Sequence, residues 1–161
     1  MNKAAVRLHA GLLTHPVHFF ALGFGSGLSP WAPGTAGSLV ALPFLWVAAG
    51  LSFAAQTVVV ICVVSVGIWL CGESARRLGA HDHPGIVLDE IAAMISLCFI
   101  VPQEPLYLAV AFGLFRLFDI TKPWPIRDMD HRLSGGLGIM LDDLMAAFYS
   151  GICLVVIFSF R

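Results

Sequence analysis

The distribution of apolar residues constrains the fold of this 161-residue chain more than any other feature. Charged residues make up 12% of the chain, about half of the ~25% that is typical of soluble domains. Five apolar segments stand out, at residues 39–54, 57–72, 90–101, 105–118 and 143–160. The last of them approaches the ~20 residues that a helix needs to cross a bilayer. The pattern predicts an all-α fold, a compact helical integral membrane protein with about four to six short membrane helices and loops at its cytoplasmic face.

The connections between these segments differ in polarity. Two short ones, "SFAAQT" and "PQEP", hold a single charged residue, Glu104, whereas residues 1–38, 73–89 and 119–142 form long polar connections. If the segments cross the membrane alternately, the long connections share one face. In or beside that face lie eight of the nine Lys and Arg residues, all six His residues and nine of the ten acids. Basic residues concentrate on the cytoplasmic side of membrane proteins, so we expect this face to be cytoplasmic.

Other classes of protein fit the sequence less well. A net charge of −1 without a basic stripe argues against a nucleic-acid partner. We expect a single domain over residues 1–161, with a mobile cytoplasmic N-terminus over 1–15 and no obligate protein partner. The N-terminal region is not typical of a signal peptide, because His15 and Pro16 interrupt its apolar part. The four cysteines lack metal-site spacing and are predicted to be packing residues: Cys62, Cys71, Cys98 and Cys153.

The glycine-rich stretch "GFGSGLSPWAPGTAGS" at residues 23–38 is the first of four polar motifs. Turn-rich backbone can present several N–H groups to one anion, and Ser26 and Thr35 would add hydroxyl donors for a phosphate. The stretch lacks the lysine and the spacing of a P-loop. The alternative interpretation is a tightly packed loop before a helix whose N-cap is Ser38.

The stretch "GAHDHPGIVLDEIAAM" at residues 79–94 carries the densest group of acids and histidines. Asp89 and Glu90 open an apolar segment, where the helix dipole favours a negative charge by ~0.3–1 kcal/mol. That effect explains one acid, whereas two favour a hard cation such as Mg²⁺, which carboxylates and phosphate oxygens hold together. His81 and His83 are candidates for general acid–base catalysis or for polar residues at the interface.

The motif "FRLFDITKPWPIR" at residues 115–127 combines an acid with several bases. Arg116 and Asp119 are three residues apart and share a face of a helix. Lys122 and Arg127 flank a "PWP" that ends this helix. An acid for a metal ion, with Arg and Lys for phosphate, suits a phosphoryl site. The alternative is a set of snorkelling bases with Asp119 as an ion-pair partner.

The motif "GGLGIMLDD" places Asp142 and Asp143 at the start of the last apolar segment. Adjacent helical residues point about 100° apart, so one of the two is expected to face a site and the other to support it. In the alternative, both are partners of the helix dipole. Packed together, the acids of three segments would form one anionic ring, which requires cations or basic side chains to be stable.

The four motifs together closely resemble the phosphatidylglycerophosphatase A family of Gram-negative bacteria. The likeness runs from about residue 16 to 150, with the motifs in the family's order. The resemblance implies a Mg²⁺-dependent, multi-pass enzyme of the bacterial inner membrane whose site faces the cytoplasm. It also implies hydrolysis of the terminal phosphate of a phospholipid, phosphatidylglycerophosphate, to give phosphatidylglycerol. Soluble relatives with an all-helical fold belong to the same family.

The resemblance assigns roles residue by residue. Asp89, Glu90, Asp119 and Asp143 match positions for metal binding, with Asp142 close behind, and Arg116, Lys122 and Arg127 match the basic positions. The motifs leave open whether Asp89, Glu90 or His83 accepts the proton of an attacking water, or whether a covalent aspartyl-phosphate forms. Two rival functions are a small transporter with a carboxylate cation site and a phosphatase for a different lipid phosphate. Charge confined to one face disfavours the transporter.

Overall fold

The fold is helical, as predicted, throughout the part of the chain that the computed structural model describes, which is residues 8–80, 83–124, 126 and 135–159. The α-helices are α1 (Pro16–Ala21), α2 (Pro33–Ala49), α3 (Phe53–Leu78), α4 (Leu88–Ser96), α5 (Pro105–Thr121) and α6 (Gly135–Ser159). Short 3₁₀ helices cover Ala10–Thr14, Gly23–Leu28 and Leu97–Phe99. His81 and Arg127 lie outside the described residues.

Local chemistry sets the ends of these helices. Ser52 caps α3 by accepting a hydrogen bond from a backbone N–H, and Gly79 ends that helix in the left-handed region at φ 65°. Proline stands in the first turn of α2 and of α5, where the missing N–H has no partner to lose. Because Pro33 already starts α2, the prediction of Ser38 as N-cap is wrong. The Ser38 hydroxyl instead donates to the carbonyl of Gly34 within the helix.

Helix α4 is the buried centre of the bundle and packs against α2, α3 and α6. Its nine residues span only ~14 Å at ~1.5 Å per residue, which is too short to cross a bilayer. The apolar segment at 90–101 therefore marks an internal helix, not a span. Cys71 and Cys98 are buried beside it, as predicted for packing residues, whereas Cys62 is exposed.

Helices α3 and α6 are long and apolar enough to cross a membrane, with 26 and 25 residues. Apolar side chains such as Val58 and Ile61 on α3 and Phe148 and Ile152 on α6 are exposed. Soluble proteins rarely expose apolar patches on this scale, so the surface suits contact with lipid. Helices α2 and α5 have 17 residues each and lie alongside the long pair.

The two ends of the bundle differ in chemistry. At one end, α2, α4 and α6 begin and α5 finishes, and charged residues collect there around a cavity. At the other end, the buried amide of Gln56 donates to the backbone carbonyls of Ala48, Ala49 and Cys98, at 3.0 Å for Cys98. This amide ties the last turn of α2 and the end of α4 to the start of α3.

Helices α3 and α6 meet through glycines. A Cβ atom built on Gly136 would lie 1.7 Å from the carbonyl oxygen of Ile68 and 2.9 Å from the nitrogen of Gly72. The neighbouring atoms belong to the backbone and cannot move aside as a flexible side chain would. Small residues let membrane helices approach this closely. The contact holds the start of α6, and the acids that follow it, against α3.

Replacing Gly136 with alanine is expected to destabilise the fold by about 1–3 kcal/mol, because the added methyl group overpacks the α3–α6 contact. Gly113→Ala is the matched control, since a Cβ atom there meets no atom within 4 Å. In the middle of α5 it is expected to stabilise by about 0.5–1 kcal/mol. Thermal unfolding of the purified protein in detergent measures both. Equal midpoints for the two variants would contradict the close contact.

Candidate active site

A cavity of about 250 Å³ opens where the ends of α2, α4, α5 and α6 meet. Its charged lining residues come from three of the four motifs singled out in the sequence: Asp89, Glu90, Arg116, Asp119, Lys122, Asp142 and Asp143. The rest of its wall includes the first turn of α2 and the segment before α4. The predicted gathering of the three acidic positions at one place is therefore what the tertiary structure contains.

Three of these acids are placed to share a metal ion. Asp89, Glu90 and Asp143 each offer an oxygen, and the three oxygens lie within 4.8 Å of one another. Asp89 and Asp143 are buried, and Glu90 is nearly so. Among the described residues, Oε2 of Glu90 is a buried atom without a hydrogen-bond partner. A set of hard oxygen donors with an unsatisfied member fits Mg²⁺.

Negative charge exceeds positive charge around this group, because five acids line the cavity with one Arg and one Lys among its described residues. Burial raises the pKa of Glu90 to about 8, against a hydrogen bond from Asp89 that lowers it. The carboxylates of Asp143 and Asp119 add to the rise, and Arg116 opposes it. Buried carboxylates in such an excess favour a bound cation, which would neutralise them without protonation.

The two bases of the cavity are held by acids. Arg116 pairs with Asp119, one helical turn away on α5 as the spacing predicted, and its Nη1 lies 4.0 Å from Oε1 of Glu90. The Nζ of Lys122 lies 2.7 Å from Oδ2 of Asp142. Lys122 caps the end of α5 in the left-handed region at φ 39°, which is costly for a residue with a side chain.

Asp142 and Asp143 divide their work as the angle between adjacent helical residues predicted. Asp143 joins the metal-capable group, and Asp142 pairs with Lys122. The alternative of two dipole partners is wrong, because α6 begins at Gly135 and the acids lie about two turns inside it. The influence of the dipole falls off within the first turn.

The first turn of α2 approaches the acids more closely than any residue but glycine allows. A Cβ atom on Gly34 would lie 2.1 Å from Oε1 of Glu90 and 3.2 Å from Nη1 of Arg116. The preceding Ala32 is left-handed at φ 44°, which turns the chain into the helix. Sequence reasoning missed Gly34, although its position directly after a helix-starting proline was the available signal.

Other predicted residues do not line this cavity. The Ser26 hydroxyl donates to the carbonyl of Gly23. Thr35 follows Gly34 but is not itself a lining residue. His83 is buried, and its Nδ1 accepts a hydrogen bond from the N–H of Gly85. The roles predicted for these three residues remain predictions.

Comparison with known proteins identifies relatives over most of the chain. A family model described as phosphatidylglycerophosphatase A matches residues 19–158. A phosphatidylglycerophosphatase A of Escherichia coli (strain K12) is 42% identical over 139 residues, which is 86% of this chain and 81% of the relative. That of Haemophilus influenzae is 40% identical over 157 residues, 92% and 91% of the two chains. A putative phosphatidylinositol-3-phosphatase of Bacteroides thetaiotaomicron is 38% identical over 150 residues, 83% and 88% of the two chains. No solved structure matches.

Gly34→Ala is expected to weaken binding of a divalent cation by about 10–100-fold, because the methyl group displaces the Glu90 carboxylate, as loss of a supporting group around a metal does. Titration of Mn²⁺ into the purified protein, followed by electron paramagnetic resonance, measures this binding. Gly113→Ala, on the same kind of helical backbone but away from the cavity, is the control. Unchanged Mn²⁺ affinity in the Gly34 variant would separate Glu90 from the metal group.

Proposed function

The chain belongs to the phosphatidylglycerophosphatase A family, and from this premise we propose that it hydrolyses the terminal phosphate ester of phosphatidylglycerophosphate. The products are phosphatidylglycerol and inorganic phosphate. The observation that carries the proposal is the convergence of Asp89, Glu90 and Asp143 beside Arg116 and Lys122 in one cavity. Metal-capable carboxylates next to bases are what a phosphate monoester needs for binding and for charge neutralisation.

Asp89, Glu90 and Asp143 would hold the Mg²⁺ ion of this reaction, with Asp119 close to Asp143 as a further acid. A bound Mg²⁺ supplies charge neutralisation of phosphate oxygens and a lowered pKa of water. The orphaned Oε2 of Glu90 and the excess of acids are the features of this chain that support the assignment. The donors are carboxylate oxygens, which suit magnesium better than a softer metal.

The bases of the cavity would bind the substrate's phosphate. Arg116 and Lys122 each reach the cavity with an acid at their back, Asp119 and Asp142, so that the cationic groups are held in place before substrate arrives. A preorganised charge needs little rearrangement as negative charge builds up on the phosphoryl oxygens. The beginning of α2 adds the positive end of its dipole to the same region.

In the hydrolytic step, the oxygen of a water attacks phosphorus and the ester bond between phosphorus and the glycerol oxygen breaks. Asp89 and Glu90 are the proposed acceptors of the water's proton, because both line the cavity. The glycerol oxygen leaves with a proton and becomes the free hydroxyl of phosphatidylglycerol. Isolation of a phosphoenzyme on an aspartate would replace this direct route with a covalent one.

We also propose that the protein crosses the bacterial inner membrane several times with the cavity at the cytoplasmic face. The length and apolar surface of α3 and α6 support the crossing. The concentration of Lys and Arg at the cavity end of the bundle supports the orientation. A phosphate site at this boundary receives a charged headgroup while the acyl chains stay in the hydrocarbon.

Asp89→Asn and Asp143→Asn are each expected to lower Mg²⁺-dependent phosphate release from phosphatidylglycerophosphate by more than about a hundredfold, because loss of even a supporting group around a metal costs ~10–100-fold. The charge-matched control is Glu104→Gln, an exposed acid just before α5 at the other end of the bundle. Phosphatidylinositol 3-phosphate serves as a second substrate in the same assay. Full activity in both aspartate variants would overturn the site, and faster release from the inositol lipid would overturn the substrate.

Lys122→Ala is expected to lower kcat/KM by about a hundredfold, the usual loss when one preorganised donor to a developing charge is removed. Arg76→Ala is the control, since Arg76 lies near the same end of the bundle but is exposed and paired with Glu73. Steady-state phosphate release from the lipid substrate gives kcat and KM separately. A loss in the Arg76 variant as large as that in the Lys122 variant would indicate a general effect of positive charge, not a contact with phosphate.

A further inference from the structure

Two highly exposed tryptophans adjoin the cavity on opposite sides. Trp31 is 84% exposed and stands directly before the lining residues Ala32 to Gly34. Trp124 is 78% exposed and follows the lining residue Lys122 by two positions. One therefore lies at the beginning of α2 and the other just beyond the end of α5. Exposing two large rings has a free-energy cost in water, which indicates that another phase or molecule covers them.

The backbone holds both tryptophans in fixed turns. Around Trp31, the Ser29 hydroxyl donates to the Trp31 carbonyl at 2.8 Å and accepts from the Trp31 N–H at 3.4 Å. The carbonyl of Trp124 accepts a hydrogen bond from the Tyr149 hydroxyl of α6 at 3.3 Å. Each ring also adjoins one of the strained residues, Ala32 or Lys122, with positive φ. Strain of this kind persists where the surrounding structure imposes a position.

The apolar surface below the two rings is what lipid would contact. On α2, Leu39 is 50% exposed, and on α5, Leu117 and Ile120 are 53% and 69% exposed. Each tryptophan thus stands between an exposed aliphatic surface and a charged cavity. Tryptophan concentrates at the level of the lipid headgroups, because its ring is apolar and its N–H is polar.

We propose that Trp31 and Trp124 form the two lips of a lateral entrance, through which the phosphorylated headgroup of a bilayer phospholipid passes between α2 and α5 into the cavity. The inference rests on the proposed function, to which it adds the route of the substrate. The lips contact the glycerol and upper acyl region of the lipid and leave the phosphate to Arg116 and Lys122. They are positioning residues for capture of a membrane-borne substrate and take no part in the chemical step.

The test compares Trp31→Ala, Trp124→Ala and the double variant with Trp69→Ala, which removes a ring 62% exposed on α3 away from the cavity. Each full-length protein is reconstituted into phosphatidylcholine vesicles. Phosphate release is measured with long-chain phosphatidylglycerophosphate at varied mole fraction in the vesicle, and with its dihexanoyl analogue supplied as monomers in water.

For the long-chain substrate, the double variant is expected to raise the KM, expressed as mole fraction, about tenfold with kcat retained, the factor that corresponds to ~1.4 kcal/mol of lost binding. For the monomeric analogue, kcat/KM is expected to stay within about twofold of the wild type, because the phosphate contacts are intact. The Trp69 variant is expected to match the wild type on both substrates.

Three results would overturn the entrance. They are an equal loss on both substrates, a fall in kcat alone, and a rise in KM as large for the Trp69 variant as for the double variant. The first two would place the tryptophans in the fold or the chemistry, and the third would make them general membrane anchors. Failure of the proposed function would be distinct, since the wild-type chain itself would then release no phosphate from phosphatidylglycerophosphate.

Discussion

Repulsion among buried carboxylates is the constraint on which the rest of the structure depends. Asp89 and Glu90 at the beginning of α4 face Asp143 of α6 across less than 5 Å, within a bundle that excludes much of the water. Like charges at this distance repel strongly where the effective dielectric is low. The ion pairs made by Arg116 and Lys122 offset part of that repulsion, and a bound cation would offset the remainder. Binding of the cation is thus coupled to packing of the central helix.

Close approach of helix backbones is what makes so dense a site possible. Gly136 lets α6 lie against α3, and Gly34 lets the first turn of α2 reach the Glu90 carboxylate. In a bilayer, where apolar side chains gain little by leaving lipid for protein, such small-residue contacts supply much of the packing energy. The glycines therefore serve stability and chemistry together, since loss of either contact moves the helix ends that carry the acids. The phosphate cavity is small for the same reason.

Much of the fold and the site could be predicted from sequence because the signals are local. The i, i+3 spacing of Arg116 and Asp119 and the proline after Lys122 predicted a shared face and a helix end, and both are present. Other features depend on partners distant in sequence. The segment at 90–101 is as apolar as a short membrane span, and only its burial among α2, α3 and α6 marks it as internal. The start of α6 at Gly135 was missed, because two glycines rarely begin a helix without packing to support them.

The sequence alone determined the helical class, the separation of charge to one end and the acids that meet there, since hydropathy and spacing are properties of the chain itself. Tertiary structure decided the division of those acids. Asp89, Glu90 and Asp143 converge on one point, while Asp119 and Asp142 hold the two bases. It also placed Trp31 and Trp124 beside one opening, although they are far apart in sequence. These facts depend on how α2, α4, α5 and α6 pack, and packing is set by contacts between distant residues that no local pattern encodes.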